Sequence, residues 1–290
     1  MSARGEGGAA DGGRYGRDVF PPEQPGEAER IDLGALAYDD LTLTRLRALG
    51  VGPGWRCLDV GAGTGTVSRR LLREAEVAGV LAVDRDVRFL AERPVPGLDV
   101  LQADVTAPDF APGLFDLVHA RFVLMHLPRP ERMVSALAGL VAPGGVLVLG
   151  DAVDLTGDRT GAPEPAPDGG ATADTPYAAA MRAMWQGLRG SIGTDVSWVP
   201  SYPRLLRGAG LGSVGAEVYV PPLLRGSPIS RFWADTWERS RASMVATGLI
   251  DDAGIDAAVR YLESDACAAL SAGMLTAWGH RPGPPGPSAA

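Results

Sequence analysis

The segment Leu58-Asp-Val-Gly-Ala-Gly-Thr-Gly65 constrains this chain more than any other. Gly61, Gly63 and Gly65 follow a short apolar run, Trp55–Val60, and precede a helical pattern, Val67–Ala75. Glycine permits a tight turn and lets a ligand reach the backbone where a Cβ would stand in the way. The helix N-terminus behind such a turn presents unpaired N–H groups to whatever is bound. Spacing then narrows the choice. A dinucleotide fingerprint needs glycine at position 66, where Thr66 stands, and a P-loop needs a Gly-Lys pair in a chain with no lysine.

The surrounding rhythm sets the fold class. Trp55–Val60, Val80–Asp84, Leu98–Ala103, Leu114–Ala120 and Val146–Gly150 are apolar runs of strand length. Helical stretches at Val67–Ala75, Val87–Glu92 and Pro130–Val141 separate them, and a longer one, Glu27–Leu49, comes first. Strands joined through helices require crossovers, which predicts a doubly wound α/β protein with a mostly parallel sheet covered on both faces. Thr156–Pro176 has almost no large apolar residue and is expected to be a mobile loop. Helices are expected at Tyr177–Leu188, Tyr202–Ala209, Phe232–Gly248 and Ile255–Glu263, and strands at Val214–Val220 and Met274–Trp278.

Two carboxylates extend the glycine signal. Asp84 closes the second strand, where it would accept from the two hydroxyls of a ribose. Asp104 follows the third in Gln102-Ala-Asp-Val105, where it would accept from an adenine amino group. Either alone is an ordinary strand-end residue. In order behind the glycine loop, they suit a nucleoside at the carboxyl edge of a parallel sheet.

Composition excludes other classes. Among 290 residues, 35 acidic stand against 27 basic, a net charge of -8, which argues against a nucleic-acid partner. Every basic residue is arginine, so a single Arg says little about anion binding. Cys57 and Cys267 supply neither a disulfide framework nor a four-cysteine zinc site. No apolar run reaches the ~18 residues of a spanning helix. The Gly-rich Met1–Arg17 lacks a signal-peptide core, so no membrane association and a cytoplasmic location are expected.

These residues resemble the class I S-adenosylmethionine-dependent methyltransferases. LDVGAGTG is similar to their first motif, VDRD (83–86) to the ribose-binding acid, and ADVT (103–106) to the adenine-binding segment. FDLVHARFVLMHLP (115–128) resembles their fourth-strand motif, and LVAPGGVLVLGD (140–151) the turn into strand five. With YDDLTLTRLRALGVGPGWRCLDVGAGTG (38–65) and MLTAWGHRP (274–282), the chain resembles an actinobacterial small-molecule group of that class, from about Glu27 to Pro282. The resemblance implies a seven-stranded Rossmann-like sheet with an antiparallel edge strand at Met274–His280. It implies S-adenosylmethionine as cofactor, S-adenosylhomocysteine as product, and Tyr38, Asp59, Gly61, Ala62, Gly63, Gly65, Asp84, Arg85, Asp104, Val105, Ala120 and Arg121 as its site. The organisation expected is a flexible arm at 1–26, a methyltransferase core at 27–154 and 201–282 with cap helices within 221–265, a loop and cap-helix insertion at 155–200, and a tail at 283–290.

The acceptor side is less marked. His126, just past the fourth strand, is the candidate general base, since a histidine can deprotonate a hydroxyl near neutral pH. His119, inside the strand, reads as a core residue with a partner. Asp59 is expected to hold the loop through backbone N–H groups, and Arg121 to meet either the cofactor's carboxylate or an ion pair. Trp185, Trp233 and Trp237 are candidate aromatic walls for a flat acceptor, or packing of the cap. Asp151 and Asp154 resemble the acid pair of metal-dependent O-methyltransferases, but the third ligand of that pattern is often Asn, which this chain lacks; no metal is expected. The expected activity is methyl transfer to a small organic acceptor, first of all a natural-product hydroxyl, by a monomer or homodimer. N- or C-methylation, a non-methyl reaction and a non-catalytic cofactor-binding regulator remain alternatives.

Overall fold

The computed structural model describes residues 15–154 and 175–283. Residues 156–174 of the expected loop lie outside them, as do 1–14 of the arm and 284–290 of the tail. The first half of the chain runs α1 (Glu27–Ala48), β1 (Arg56–Val60), α2 (Thr66–Glu74), β2 (Gly79–Asp84), α3 (Arg88–Ala91), β3 (Leu98–Gln102), β4 (Phe115–Arg121), α4 (Pro130–Gly139) and β5 (Val141–Val153). The second half runs α5 (Pro176–Ile192), α6 (Tyr202–Gly208), β6 (Gly212–Tyr219), β7 (Pro222–Leu224), α7 (Pro228–Val245), α8 (Asp252–Leu262), β8 (Ala268–Leu270) and β9 (Gly273–His280). Among the described residues, no helix is long and apolar enough to cross a membrane.

Local chemistry sets most boundaries. Helix α1 carries Glu27 and Glu29 in its first turn and Arg45 and Arg47 in its last, matching the helix dipole at both ends. Helices α5, α7 and α8 start on Thr175, Ser227 and Asp251, whose side chains accept from Ala178, Ser230 and Gly254 N–H respectively. Pro176 and Pro228 occupy the first helical position of α5 and α7, where a missing N–H costs nothing. Strand β5 begins at Val141 rather than Val146, because Phe115 already pairs with Val141 ahead of a register shift. The interruption Ala-Pro-Gly-Gly hides that start from an apolar-run reading.

Seven strands form one sheet in the order β3-β2-β1-β4-β5-β9-β6. The first five are parallel, and β9 runs antiparallel as the resemblance implies, but it lies between β5 and β6, so the edge strand is β6 and not Met274–His280. Strand order reverses between β1 and β4, and the crevice at the carboxyl ends of such a pair is where ligands bind in open α/β sheets. Core clusters cover both faces of the central strands, which explains their unbroken apolar runs. A third cluster joins α5, α7 and α8 into a cap, and β7 and β8 add a small antiparallel ribbon not expected from sequence.

The expected flexible arm needs correction over 15–26. Phe20 is buried within the cap cluster, and Tyr15 forms a β-bridge with Val19. Two aromatic rings in a Gly- and Pro-rich stretch are enough to anchor it, a buried Phe contributing roughly 1.5–3 kcal/mol.

Candidate functional site

A cavity of about 510 Å³ opens along the carboxyl edge of the sheet. It runs from the glycine loop, Asp84 and Asp104 at one end to Trp185 and Trp233 at the other. Gly61, Gly63 and Gly65 all have positive φ, at +65, +56 and +77°. Gly61 and Ala62 N–H donate to Val83 O, which ties the turn to β2. Packing behind the loop is closed: a Cβ on Gly61 would stand 2.2 Å from Val123 Cγ2, and one on Gly65 would stand 2.6 Å from Leu90 Cδ2. Gly63 differs, since its nearest neighbour would be Ile31 Cγ2 at 3.5 Å. That leaves bare backbone facing the cavity.

The acids fall where order along the chain placed them. Asp84 Oδ2 accepts from Gly63 N–H at 2.8 Å, joining loop and acid into one cradle. Burial pushes its carboxyl above the usual range, against backbone N–H groups that pull it down. Asp104 also lines the cavity; burial works against its charge, but hydrogen bonds from Thr106 hold it below the usual range. Arg85 and Val105 line this end as well. Ala120 is buried in the core behind it rather than on the cavity wall.

Asp59 supports the loop differently from expectation. Its carboxylate accepts from Ser68 Oγ (2.5 Å) and from His119 Nδ1 (2.8 Å), not from loop N–H groups. His119 is thereby the buried, partnered residue that its place in an apolar strand suggested. Arg121 is likewise engaged: it donates to Asp39 Oδ1 (2.6 Å) and Thr42 Oγ1 (2.8 Å), clamping β4 to α1 beneath the cavity. Tyr38 lines the cavity with its ring edge-on to Phe122, and its hydroxyl donates to Ala272 O. Burial raises its pKa, so the hydroxyl stays protonated.

Residues 122–127 form the turn between the two ends. Phe122 has φ +56°, a strained value for an aromatic residue, and its N–H donates to Gly150 O at 2.7 Å. Asp151, wholly buried, accepts from Tyr202 Oη and faces the N–H groups of Val123, Leu124 and Met125; burial still lifts its pKa to about 7. Its carboxyl group is thereby engaged with Tyr202 and the turn. Among the described residues, no three His, Cys, Asp or Glu side chains are grouped to hold a metal ion.

His126 reaches the cavity from this turn. Its Nδ1 lies 2.8 Å from Thr194 Oγ1, and its ring lies 4.3 Å from that of Tyr15. Burial, with the Arg30 guanidinium adding to it, pushes its pKa down to about 3. The unfolded chain takes up this proton near ~6.5. Stability is therefore lost as pH falls from the unfolded value toward the folded one, by at most roughly 1.4 kcal/mol per pH unit. Between pH 7 and pH 5, urea unfolding of His126→Gln should show about 1–2 kcal/mol less loss than the unsubstituted chain. Equal losses would mean that the imidazole is not held neutral.

The aromatic wall is partly as expected. Trp185 and Trp233 both line the cavity and meet edge-to-face at 6.2 Å. Trp237 does not: it lies one turn further along α7, fully buried 5.8 Å from Tyr177 in the cap core. Tyr15, Arg30 and Thr236 are among the lining residues that the sequence did not single out. Tyr15 sits in a segment read as unstructured, and Arg30 in a chain where arginine carries little information. Only the Glu27/Arg30 spacing hinted at a pair.

Such a sheet, with a glycine loop and two successive carboxylates at its crevice, is the architecture of an α/β protein of the Rossmann type. Residues 58–149 match the family described as a methyltransferase domain. Methyltransferase str3 of Strobilurus tenacellus is 35% identical over 127 residues, 43% of this chain and 45% of the relative. The demethylmenaquinone methyltransferase of Renibacterium salmoninarum is 35% identical over 106 residues, 36% and 44% of the two chains. The chain thus spans less than half the length of these relatives. The crystal structure of the [4+2]-cyclase SpnF superposes with a TM-score of 0.50 at 18% identity, covering 85% of this chain and 81% of that one, a likeness of fold alone. Both relatives are named methyltransferases, and the matched segment 58–149 contains the glycine loop, Asp84 and Asp104.

Proposed function

We propose that the chain is an S-adenosylmethionine-dependent methyltransferase acting on a small organic acceptor, in the first place on a hydroxyl of a natural product. The observation that carries this reading is the continuity of the cavity. One cavity joins the Asp84–Gly63 cradle to the Trp185/Trp233 wall, passing the turn of Phe122 and His126. A binding protein needs the first end only. An apolar second end beside it supports a second substrate.

The residues present fit the cofactor. Gly63 leaves open backbone that a Cβ would fill, and Asp84 sets a half-buried carboxylate where a ribose would lie. Asp104 and Val105 would flank the adenine, and Tyr38, Arg121 and the Gly61–Gly65 turn the amino-acid end. S-adenosylmethionine supplies an electrophilic methyl for in-line displacement. The chain's task is then to align the acceptor and exclude water, and positioning of this kind is worth ~7–11 kcal/mol. His126 is neutral under physiological conditions. With its proton on Nδ1 facing Thr194, its Nε2 would accept a hydrogen bond from the acceptor's hydroxyl and hold it in line; so low a pKa makes the ring too weak a base to keep that proton, which passes to solvent after transfer. A pKa near 3 removes any rate inflection near pH 6.5 from this group.

Calorimetric titration of the purified chain with S-adenosylmethionine and, separately, NAD tests the reading. Micromolar binding of the first alone is expected, followed by methylated product in mass spectra of phenolic acceptors. Failure to bind S-adenosylmethionine would reduce the glycine–acid–acid pattern to scaffold. His126→Ala is expected to lower turnover with cofactor affinity nearly intact.

A further inference from the structure

The far end of the cavity contains a polar group that methyl transfer does not require. Arg30 is buried, with its guanidinium 4.1 Å from the centre of the Phe20 ring and 5.4 Å from that of Phe232. Its Nε and one terminal nitrogen donate to Glu27, at 2.9 and 2.5 Å. The same terminal nitrogen donates to Tyr15 Oη at 3.0 Å, and the other to Thr236 Oγ1 at 3.3 Å. Glu27 closes the edge of the guanidinium that a ligand would otherwise take, and balances its charge.

The consequence lies in the two hydroxyls. A hydroxyl has one proton to give and lone pairs to receive. Tyr15 Oη and Thr236 Oγ1 each receive from Arg30, which has nothing to accept with, so each proton must turn away from the guanidinium. Both residues line the cavity. Phe20, Phe232, Trp233 and Trp185 line the same cavity, with Glu27, Arg30 and His126 as the polar groups beside them. The pocket end therefore offers two O–H donors beside aromatic walls. Its complement is an oxygen that accepts and does not donate.

We infer that Tyr15 and Thr236, polarised by Arg30, form a subsite for a carboxylate or carbonyl oxygen on a planar aromatic acceptor, an assignment that rests on the methyltransferase reading for calling this ligand the acceptor. An ammonium group is the wrong partner: it has no lone pair for the two hydroxyls, and it would approach a buried guanidinium. The subsite thus selects oxygen-bearing aromatic acceptors over amines.

The test uses the full chain saturated with S-adenosylhomocysteine and three probes: 2-naphthoate, 2-acetylnaphthalene and 2-(aminomethyl)naphthalene. Calorimetry is expected to show the carboxylate or the ketone binding at least about tenfold tighter than the amine, the better of the two identifying the oxygen's source. Tyr15→Phe and Thr236→Val each keep Arg30 and its ring contacts while deleting one donor, and each should cost that probe about tenfold. S-adenosylhomocysteine affinity, measured on the same samples, should not move. Equal binding of amine and oxygen probes, no loss in either variant, or no binding of any probe at millimolar concentration overturns the assignment. Loss of S-adenosylhomocysteine binding in the unsubstituted chain instead overturns the methyltransferase reading.

Discussion

Gly61→Ala should abolish S-adenosylmethionine binding and destabilise the fold by roughly 2–5 kcal/mol. Two costs add at this position. The backbone sits at φ +65°, a left-handed value that costs a residue with a Cβ about 1–2 kcal/mol. The new methyl would also stand 2.2 Å from Val123 Cγ2, so either the turn carrying Phe122 and His126 or the loop itself must move. Cores absorb such overpacking at ~1–3 kcal/mol. Gly63→Ala separates the terms, because its φ is +56° but its nearest contact would be an ordinary 3.5 Å. It should lose only the backbone term in stability and still lose cofactor affinity, since its methyl enters the cavity. Urea unfolding and calorimetric titration of both variants decide the matter. Equal destabilisation by the two would show that the Val123 contact relaxes freely.

Asp84→Ala should weaken cofactor binding by 100-fold or more, with Asp104→Ala costing about tenfold. A hydrogen bond to a charged group contributes roughly 1.5–3 kcal/mol. Asp84 would make two such bonds to a ribose, whereas Asp104 would make one to an adenine amino group. Asp84 also accepts from Gly63 N–H, so its loss loosens the loop that cradles the ligand. Asp84→Asn should recover part of the affinity, since one acceptor oxygen remains. Binding of S-adenosylhomocysteine by Asp84→Ala within threefold of the unsubstituted chain would refute the ribose assignment.

The parts of this site that could be read in advance share one property. The Gly61–Gly65 turn, Asp84 and Asp104 each lie within a few residues of a strand end, and a parallel sheet delivers all its carboxyl ends to one edge. Order along the chain therefore became proximity in space without any knowledge of packing. The antiparallel β9 followed from the resemblance alone, since nothing in a short apolar run tells its direction. Arg121 sat where a carboxylate partner was plausible, yet Asp39 and Thr42 on α1 had already claimed two of its nitrogens. Asp59 found Ser68 and His119, neither visible as a partner from spacing.

The cap was harder for a physical reason. Trp233 and Trp237 share a helix face by periodicity, but only the depth of α7 against α5 decides which indole meets the cavity and which the core. Tyr15, Arg30 and Thr236 come from three separated stretches, and their grouping depends on the arm folding back over α1 and α7. Local rules, namely alternating strand and helix, glycine in a tight turn and acids at strand ends, were enough for the doubly wound sheet and the glycine-loop end of the cavity. The Trp185/Trp233 end was decided by long-range packing, where burial rather than residue type set which side chains line the wall, which ones pair, and that the imidazole of His126 stays neutral.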